Sequence, residues 1–389
     1  MDFLRYALEI EDEVIGWRRR IHQNPELGNM EYKTAEFVER TLRSIGIENI
    51  RRIGETGVLG ILEGHGAGRV AAVRADMDAL PSDEKSDYPY PSQCAGVAHT
   101  CGHDIHTAIL LGVAKSLHKC RDELRGTVKF FFQPAEEILG GAVSMIEGGA
   151  LENPDVDCIL ALHVWPELPS GVIGVRYGQM MAATDHVLIE ITGSQGHAAH
   201  PHKCVDPITI AGQLITNVQA IVSREVSPVD SAVLSFGKIS GGTAHNIIPQ
   251  KVTLEGTIRT ISPRTREQMS EAIERFSLGV ARNMRGDARV VVTRGTPPLI
   301  CDESLCEQLE KSAVDLLGAE KVIRLQTPSM GGEDFSFYLE KVPGVFYRLG
   351  CASEGKKSVP LHSPEFYPDE GAFKTGVAVT SRFVADLLK

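Results

Sequence analysis

Short, nearly continuous apolar runs alternate with amphipathic stretches over the first part of the chain. Val70-Ala71-Ala72-Val73, Val128-Lys129-Phe130-Phe131-Phe132 and Cys158-Ile159-Leu160-Ala161-Leu162 carry little of the in-out alternation of a half-exposed strand. Such runs predict strands covered on both faces, and therefore a mixed, largely parallel α/β sheet. Amphipathic patterns predict helices over residues 3–22, 107–119 and 140–148. Polar residues collect just after the strands: Arg74-Ala75-Asp76, Glu136-Glu137 and His163. In open α/β sheets, sites form at the carboxyl ends of strands.

The pattern changes near Tyr177. His186-Val187-Leu188-Ile189-Glu190-Ile191-Thr192 alternates apolar and polar positions, as an antiparallel strand with one wet face does. A helical stretch over 206–224 follows, then strands near 232–236 and 251–258, a helix over 264–284 and a strand at 289–292. This βαββαβ order predicts an α+β domain inserted over 179–297, with 1–178 and 298–389 forming the surrounding α/β domain.

A chain of 389 residues is long enough for both. The formal net charge is −11, which argues against a nucleic-acid or anionic-membrane partner. No apolar run is long enough to span a bilayer, and the first residues, Met1-Asp2-Phe3-Leu4-Arg5, lack the form of a secretory signal. Eight cysteines are scattered without a tight framework, so they read as reduced thiols of a cytoplasmic protein. Cys101 alone has neighbours that suggest chemistry.

Those neighbours are His99-Thr100-Cys101-Gly102-His103-Asp104, with Gly102 permitting a sharp bend between thiol and imidazole. Thiolate and imidazole suit zinc and similar ions. The alternative is a buried thiol beside a helix-capping histidine. Glu136 and Glu137 follow an aromatic strand and Pro134, a poor place for two unpaired charges. If Glu137 binds a metal, Glu136 can take a proton from metal-activated water without being a ligand. A lone histidine such as His163 at the end of a buried strand is more often a core residue than a ligand, and His362 in its loop is equally ambiguous alone. The inserted domain adds His197 among His200 and His202, Asn246 in a flexible Gly-rich segment, and Arg259 at a strand end, where a bidentate carboxylate clamp competes with simple exposure.

Taken together, these segments resemble the aminoacylase/carboxypeptidase-type metallopeptidase family, specifically its N-acyl-amino-acid amidohydrolase subfamily of hippurate and auxin-conjugate hydrolases. The resemblance runs from His22-Gln23-Asn24-Pro25-Glu26-Leu27 through Arg74-Ala75-Asp76-Met77-Asp78-Ala79-Leu80-Pro81 and the Cys101 and Glu136 segments. It continues through both inserted-domain motifs to Ser329-Met330-Gly331-Gly332-Glu333-Asp334-Phe335 and the His362 loop. It implies a zinc-peptidase-like catalytic domain with an inserted lid and dimerisation domain. It further implies two divalent ions (Zn or Mn, with Co or Ni as alternatives) held by Cys101, His103, Glu137, His163 and His362. Glu136 matches the general acid/base, and Asp76 a carboxylate behind the ligands. His197 and Asn246 match lid residues that meet a substrate oxyanion, and Arg259 a substrate-carboxylate site. One departure stands out: peptidase branches carry His-x-Asp where this chain has Arg74-Ala75-Asp76, and an arginine cannot bind metal. The expected activity is hydrolysis of N-acyl-L-amino acids by a cytoplasmic homodimer. N-acetyl-diaminopimelate deacetylation, dipeptidase or carboxypeptidase action, and non-catalytic metal-dependent binding are the alternatives.

Overall fold

The computed structural model describes residues 1–86, 88–355 and 358–389. Its chain divides into two compact units: 1–178 with 300–327 and 337–389, and 179–299 with 328–336.

The first unit is built on an eight-stranded sheet. Across it the strands run Asn49–Ile53, Gly57–Glu63, Gly126–Gln133, Arg69–Asp76, Cys158–Pro169, Gly344–Ala352, Ile173–Val175 and Val322–Arg324. The central pairs are parallel: Arg69–Asp76 with both Gly126–Gln133 and Cys158–Pro169, and the latter with Gly344–Ala352. In Arg69–Asp76 every residue after Arg69 is buried, which is why its sequence shows no alternation. Helix His103–Lys119 packs on these strands and is buried at nearly every position. Lys129, buried in the sheet, is partnered there: its Nζ donates to the carbonyls of Ala150 and Glu152 at 3.0 and 2.6 Å.

The predicted opening helix is two helices, Phe3–Glu9 and Glu11–Gln23, joined at Ile10. Three acids, Glu11, Asp12 and Glu13, occupy the first turn of the second, where they favour a fresh helix N-terminus. The stretch over 206–224 likewise ends early as an α-helix, at Asn217, and gives way to a wider π turn at Ile221–Glu225.

The second unit has a four-stranded antiparallel sheet in the order Ala232–Gly241, Lys251–Thr260, Ala183–Thr192, Asp287–Arg294. Val187, Ile189, Ile191, Leu254 and Ile258 on one face bury against Ile210, Leu214, Met269 and Ile273 of helices Pro207–Asn217 and Pro263–Asn283. Both helices begin with a side-chain cap, Asp206 or Ser262, followed by proline at the first helical position. Among the described residues no helix is long and apolar enough to cross a membrane.

Candidate metal centre

Five segments of the first unit bring their ends together. Gly102 adopts a left-handed conformation (φ 91°), and a Cβ there would lie 2.5 Å from Val164 Cγ2. Only glycine fits this bend, which turns Cys101 and His103 toward the same region. His103 is the first residue of its helix, and Thr107 of that helix donates to the Asp76 carbonyl at 2.8 Å. The His362 amide donates to the Thr100 carbonyl at 2.8 Å, drawing the distant C-terminal loop onto the Cys101 segment. His362 Nε2 then lies 3.3 Å from Cys101 Sγ, and His163 Nε2 lies 3.5 Å from the same sulfur.

The potential ligand atoms form overlapping groups in which all members lie within 4.8 Å of one another: Cys101, His103 and His163; Cys101, Glu137 and His362; His103, Glu136 and Glu137. All five residues read as prospective ligands from the sequence are thus gathered, with Glu136 beside them. Their chemistry fits divalent ions of intermediate softness, since it joins sulfur, nitrogen and carboxylate oxygen. His103 Nε2 is buried without a hydrogen-bond partner and stands 3.8 Å from Glu137 Oε1. Glu137 Oε1 is buried without a well-formed hydrogen bond, 3.3 Å from His362 Nε2. Unsatisfied buried donor atoms of this kind are costly unless something binds them, so the residues fit a metal site.

Electrostatics in the cluster are steep. Burial opposes charge on His103, but Asp76, Cys101 and Asp78 outweigh it and raise its pKa well above the usual histidine range. Burial holds His163 well below that range, helped by His106. Burial pushes the Cys101 thiol up. Burial also works against the Glu137 carboxylate, yet His362 and His103 keep its pKa low.

Two carboxylates support the cluster in different ways. Asp76 is fully buried between Arg74 Nη1 at 2.6 Å and His106 Nδ1 at 2.6 Å, and the Val164 amide donates to His106 Nε2 at 2.9 Å. Its Oδ2 is 3.8 Å from His103 Nε2. Asp78 meets the other ring nitrogen of His103 at 3.1 Å and accepts the Glu137 amide at 3.0 Å. Asp78, His106 and Glu31, which accepts the Ala135 amide at 2.8 Å, escaped the sequence reading. His106 carried one signal: three residues beyond His103, it lies on the same helix face.

In the second unit, the short strands Gly196–His197 and Ile247–Ile248 pair antiparallel, and the Ala198 amide donates to the Asn246 carbonyl at 3.1 Å. His197 and Asn246, 49 positions apart in sequence, are therefore neighbours on an exposed surface. Arg259 is half-buried near Gly332, and burial lowers its pKa.

The family model described as Peptidase family M20/M25/M40 matches residues 72–386. The chain belongs to this family. It is 40% identical over 363 residues to an N-acetyl-L-cysteine deacetylase of Bacillus subtilis, covering 93% of this chain and 85% of that one. It is 45% identical over 277 residues to an N-acyl-L-amino acid amidohydrolase of Geobacillus stearothermophilus, covering 71% and 74%. A crystal structure of a Bacillus subtilis protein, described as a dinuclear metal-binding peptidase of the M20 family, superposes with a TM-score of 0.86. That protein is 34% identical, with 98% and 99% of the two chains covered. The resemblance drawn from the motifs holds, as does the mixed α/β fold. The M20 chain is a metal-dependent amidohydrolase.

Proposed function

We propose that this M20 protein hydrolyses the amide bond of N-acyl-L-amino acids, releasing a carboxylate and a free amino acid. The observation that carries the reading is Glu136 lying within 4.8 Å of His103 and Glu137 in a cluster otherwise made of ligand-type side chains. A purely structural metal site has no use for a further carboxylate there. The names of the Bacillus and Geobacillus relatives support the substrate class.

In this reading Cys101, His103, Glu137, His163 and His362 hold two divalent ions. Zinc suits the thiolate best, and manganese, cobalt or nickel are accepted by the same set. Bound there, the ions would polarise the acyl carbonyl and make water acidic enough to attack near neutral pH. Glu136 removes the proton of the attacking water and later returns one to the leaving amine. The inserted domain over 179–297 serves as lid and dimerisation domain. His197 and Asn246 stabilise the tetrahedral oxyanion, and Arg259 receives the substrate carboxylate. The protein acts as a cytoplasmic homodimer.

The test is a panel of N-acyl amino acids, including hippurate and N-acetylmethionine, and of dipeptides, run on protein reconstituted with zinc, manganese or cobalt. Acyl-amino-acid turnover in the parent and its fall by orders of magnitude in Glu136→Gln, with metal content unchanged, are the expected results. Turnover of dipeptides alone would overturn the substrate class, and near-parental turnover in Glu136→Gln would overturn the role of that residue.

A further inference from the structure

The turn that presents Glu136 is held partly from within and partly by residues distant in sequence. Within it, the Ala135 carbonyl accepts the Gly140 and Gly141 amides at 3.2 Å each, and the Glu136 carbonyl accepts the Leu139 amide at 2.8 Å. Ala135 sits in the left-handed region at φ 56°, a conformation that costs an ordinary residue roughly 1 kcal/mol or more. It persists only where the surroundings fix it. On its carboxyl side the fixing group is Asp78, which accepts the Glu137 amide. On its amino side it is Glu31, whose Oε1 accepts the Ala135 amide at 2.8 Å.

Glu31 is fully buried, far off in sequence, and held in turn by others. Its Oε2 accepts from the Thr56 hydroxyl at 2.8 Å, and Thr56 is itself buried at the bend between two strands. Glu31 closes a strap that begins at Glu26. The Glu26 carbonyl accepts the Ala79 amide at 2.8 Å, and the Glu26 carboxylate accepts the amides of Lys33 and Thr34. Midway along the strap, Gly28 packs so closely that a Cβ would lie 3.2 Å from Ala135 Cα and 3.4 Å from Asp78 Oδ2. The strap therefore touches both anchors of the turn. Two buried carboxylates, one on each side of Glu136, grip the backbone amides at 135 and 137.

We infer that Glu31 is a positioning residue for Glu136: through the Ala135 amide it sets the direction in which the Glu136 carboxylate leaves the turn. The inference rests on the proposed role of Glu136. Glu31 touches no reacting atom, so it acts on the rate and not on metal or substrate affinity. What the turn requires of it is an acceptor for the Ala135 amide and a link to Thr56. Glutamine supplies both, because its amide oxygen can accept from Ala135 while its NH₂ donates to the Thr56 hydroxyl oxygen. Alanine supplies neither.

The experiment compares Glu31→Gln, Glu31→Ala and Thr56→Val in the metal-loaded full chain. Glu31→Ala is expected to lower kcat about ten- to a hundredfold, the size of effect a misplaced catalytic group gives, with KM and metal content close to parental. Glu31→Gln is expected to stay within a fewfold of parental kcat, and Thr56→Val to fall between them. Backbone amide exchange over residues 133–140, followed by mass spectrometry, reads the same hold without any turnover. It should quicken in Glu31→Ala and stay near parental in Glu31→Gln. Parental kcat and exchange in a folded Glu31→Ala protein would overturn the inference. So would a loss of metal binding in step with kcat, or failure of Glu31→Gln to restore either readout. If no acyl amino acid is turned over by the parent, the proposed substrate class fails while the exchange measurement still judges Glu31.

Discussion

Asp78 Oδ1 lies 3.1 Å from His103 Nδ1, on the side of the ring away from the unpartnered Nε2. A carboxylate on one imidazole nitrogen fixes the ring's orientation and leaves the other nitrogen free for a metal. Removal of such a partner ordinarily weakens metal binding by about 10–100-fold. Asp78→Ala should therefore bind zinc more weakly by that factor, measured by competition with a chromophoric chelator. Because Asp78 also anchors the Glu137 amide, Asp78→Asn should retain part of the affinity. Unchanged zinc affinity in Asp78→Ala would show that His103 is oriented by its helix alone.

Metal removal should cost stability as well as activity. A ligand that binds only the folded state adds about 4 kcal/mol when present at a thousand times its dissociation constant. With His103 Nε2 and Glu137 Oε1 buried and unsatisfied, the folded apo-protein keeps the whole cost of the cluster. Scanning calorimetry should show a lower Tm after dialysis against EDTA and recovery on adding zinc or manganese. An identical Tm with and without metal would remove the cluster as a tight site.

Much of this was legible in the chain, for reasons that differ by residue. The buried strands announced themselves because both faces are covered and periodicity vanishes. Gly102 was legible because only glycine can turn there, and the gathering of Cys101, His103, Glu137, His163 and His362 because side chains of this chemistry are scarce in the chain. Asp78 and Glu31 were not, since an aspartate two residues past a strand and a glutamate before a helix look like surface charges. Their roles depend on contacts 25 and 104 residues away, which no local pattern encodes. The break at Ile10 was missed for the opposite reason: the apolar face continues across it, while the three acids that restart the helix look like ordinary solvent-facing residues.

Lys129 gives a pH dependence whose sign can be worked out. Burial in the sheet, with Arg51 nearby, lowers its pKa from 10.5 to about 8. Below that value both folded and unfolded chains hold the proton, and stability does not change with pH through this group. Between about 8 and 10.5 the unfolded chain holds a proton that the folded chain has released, so stability rises with pH. The slope from one such group is at most about 1.4 kcal/mol per pH unit. Urea denaturation across this window should show a rise in the parent that is flattened in Lys129→Met. Parallel pH profiles for the two proteins would mean that Lys129 titrates normally.

A fully buried ion pair holds the start of the helix that carries His103. Arg18 Nε donates to Asp104 Oδ2 at 2.8 Å, and neither side chain has any exposed surface. His22 Nδ1 meets the same oxygen at 2.7 Å, while the Arg18 Nη groups reach the hydroxyls of Tyr88 and Tyr90 at 3.0 Å each. Asp104 follows His103 in the first turn of its helix, so the pair ties the segment at Arg18 to the backbone that carries a prospective ligand. Burying two ions is expensive, and their attraction offsets the cost only while both are present. Arg18→Met would strand the Asp104 charge and should destabilise the fold by about 3–5 kcal/mol. In Arg18→Met/Asp104→Asn the stranded charge is gone, and the double variant should be more stable than the single one. That ordering separates an electrostatic role from a packing role: if Arg18 mattered through its bulk, the second substitution would add damage. Denaturant unfolding of the parent, both single variants and the double variant decides it. A double variant less stable than Arg18→Met would refute the electrostatic account.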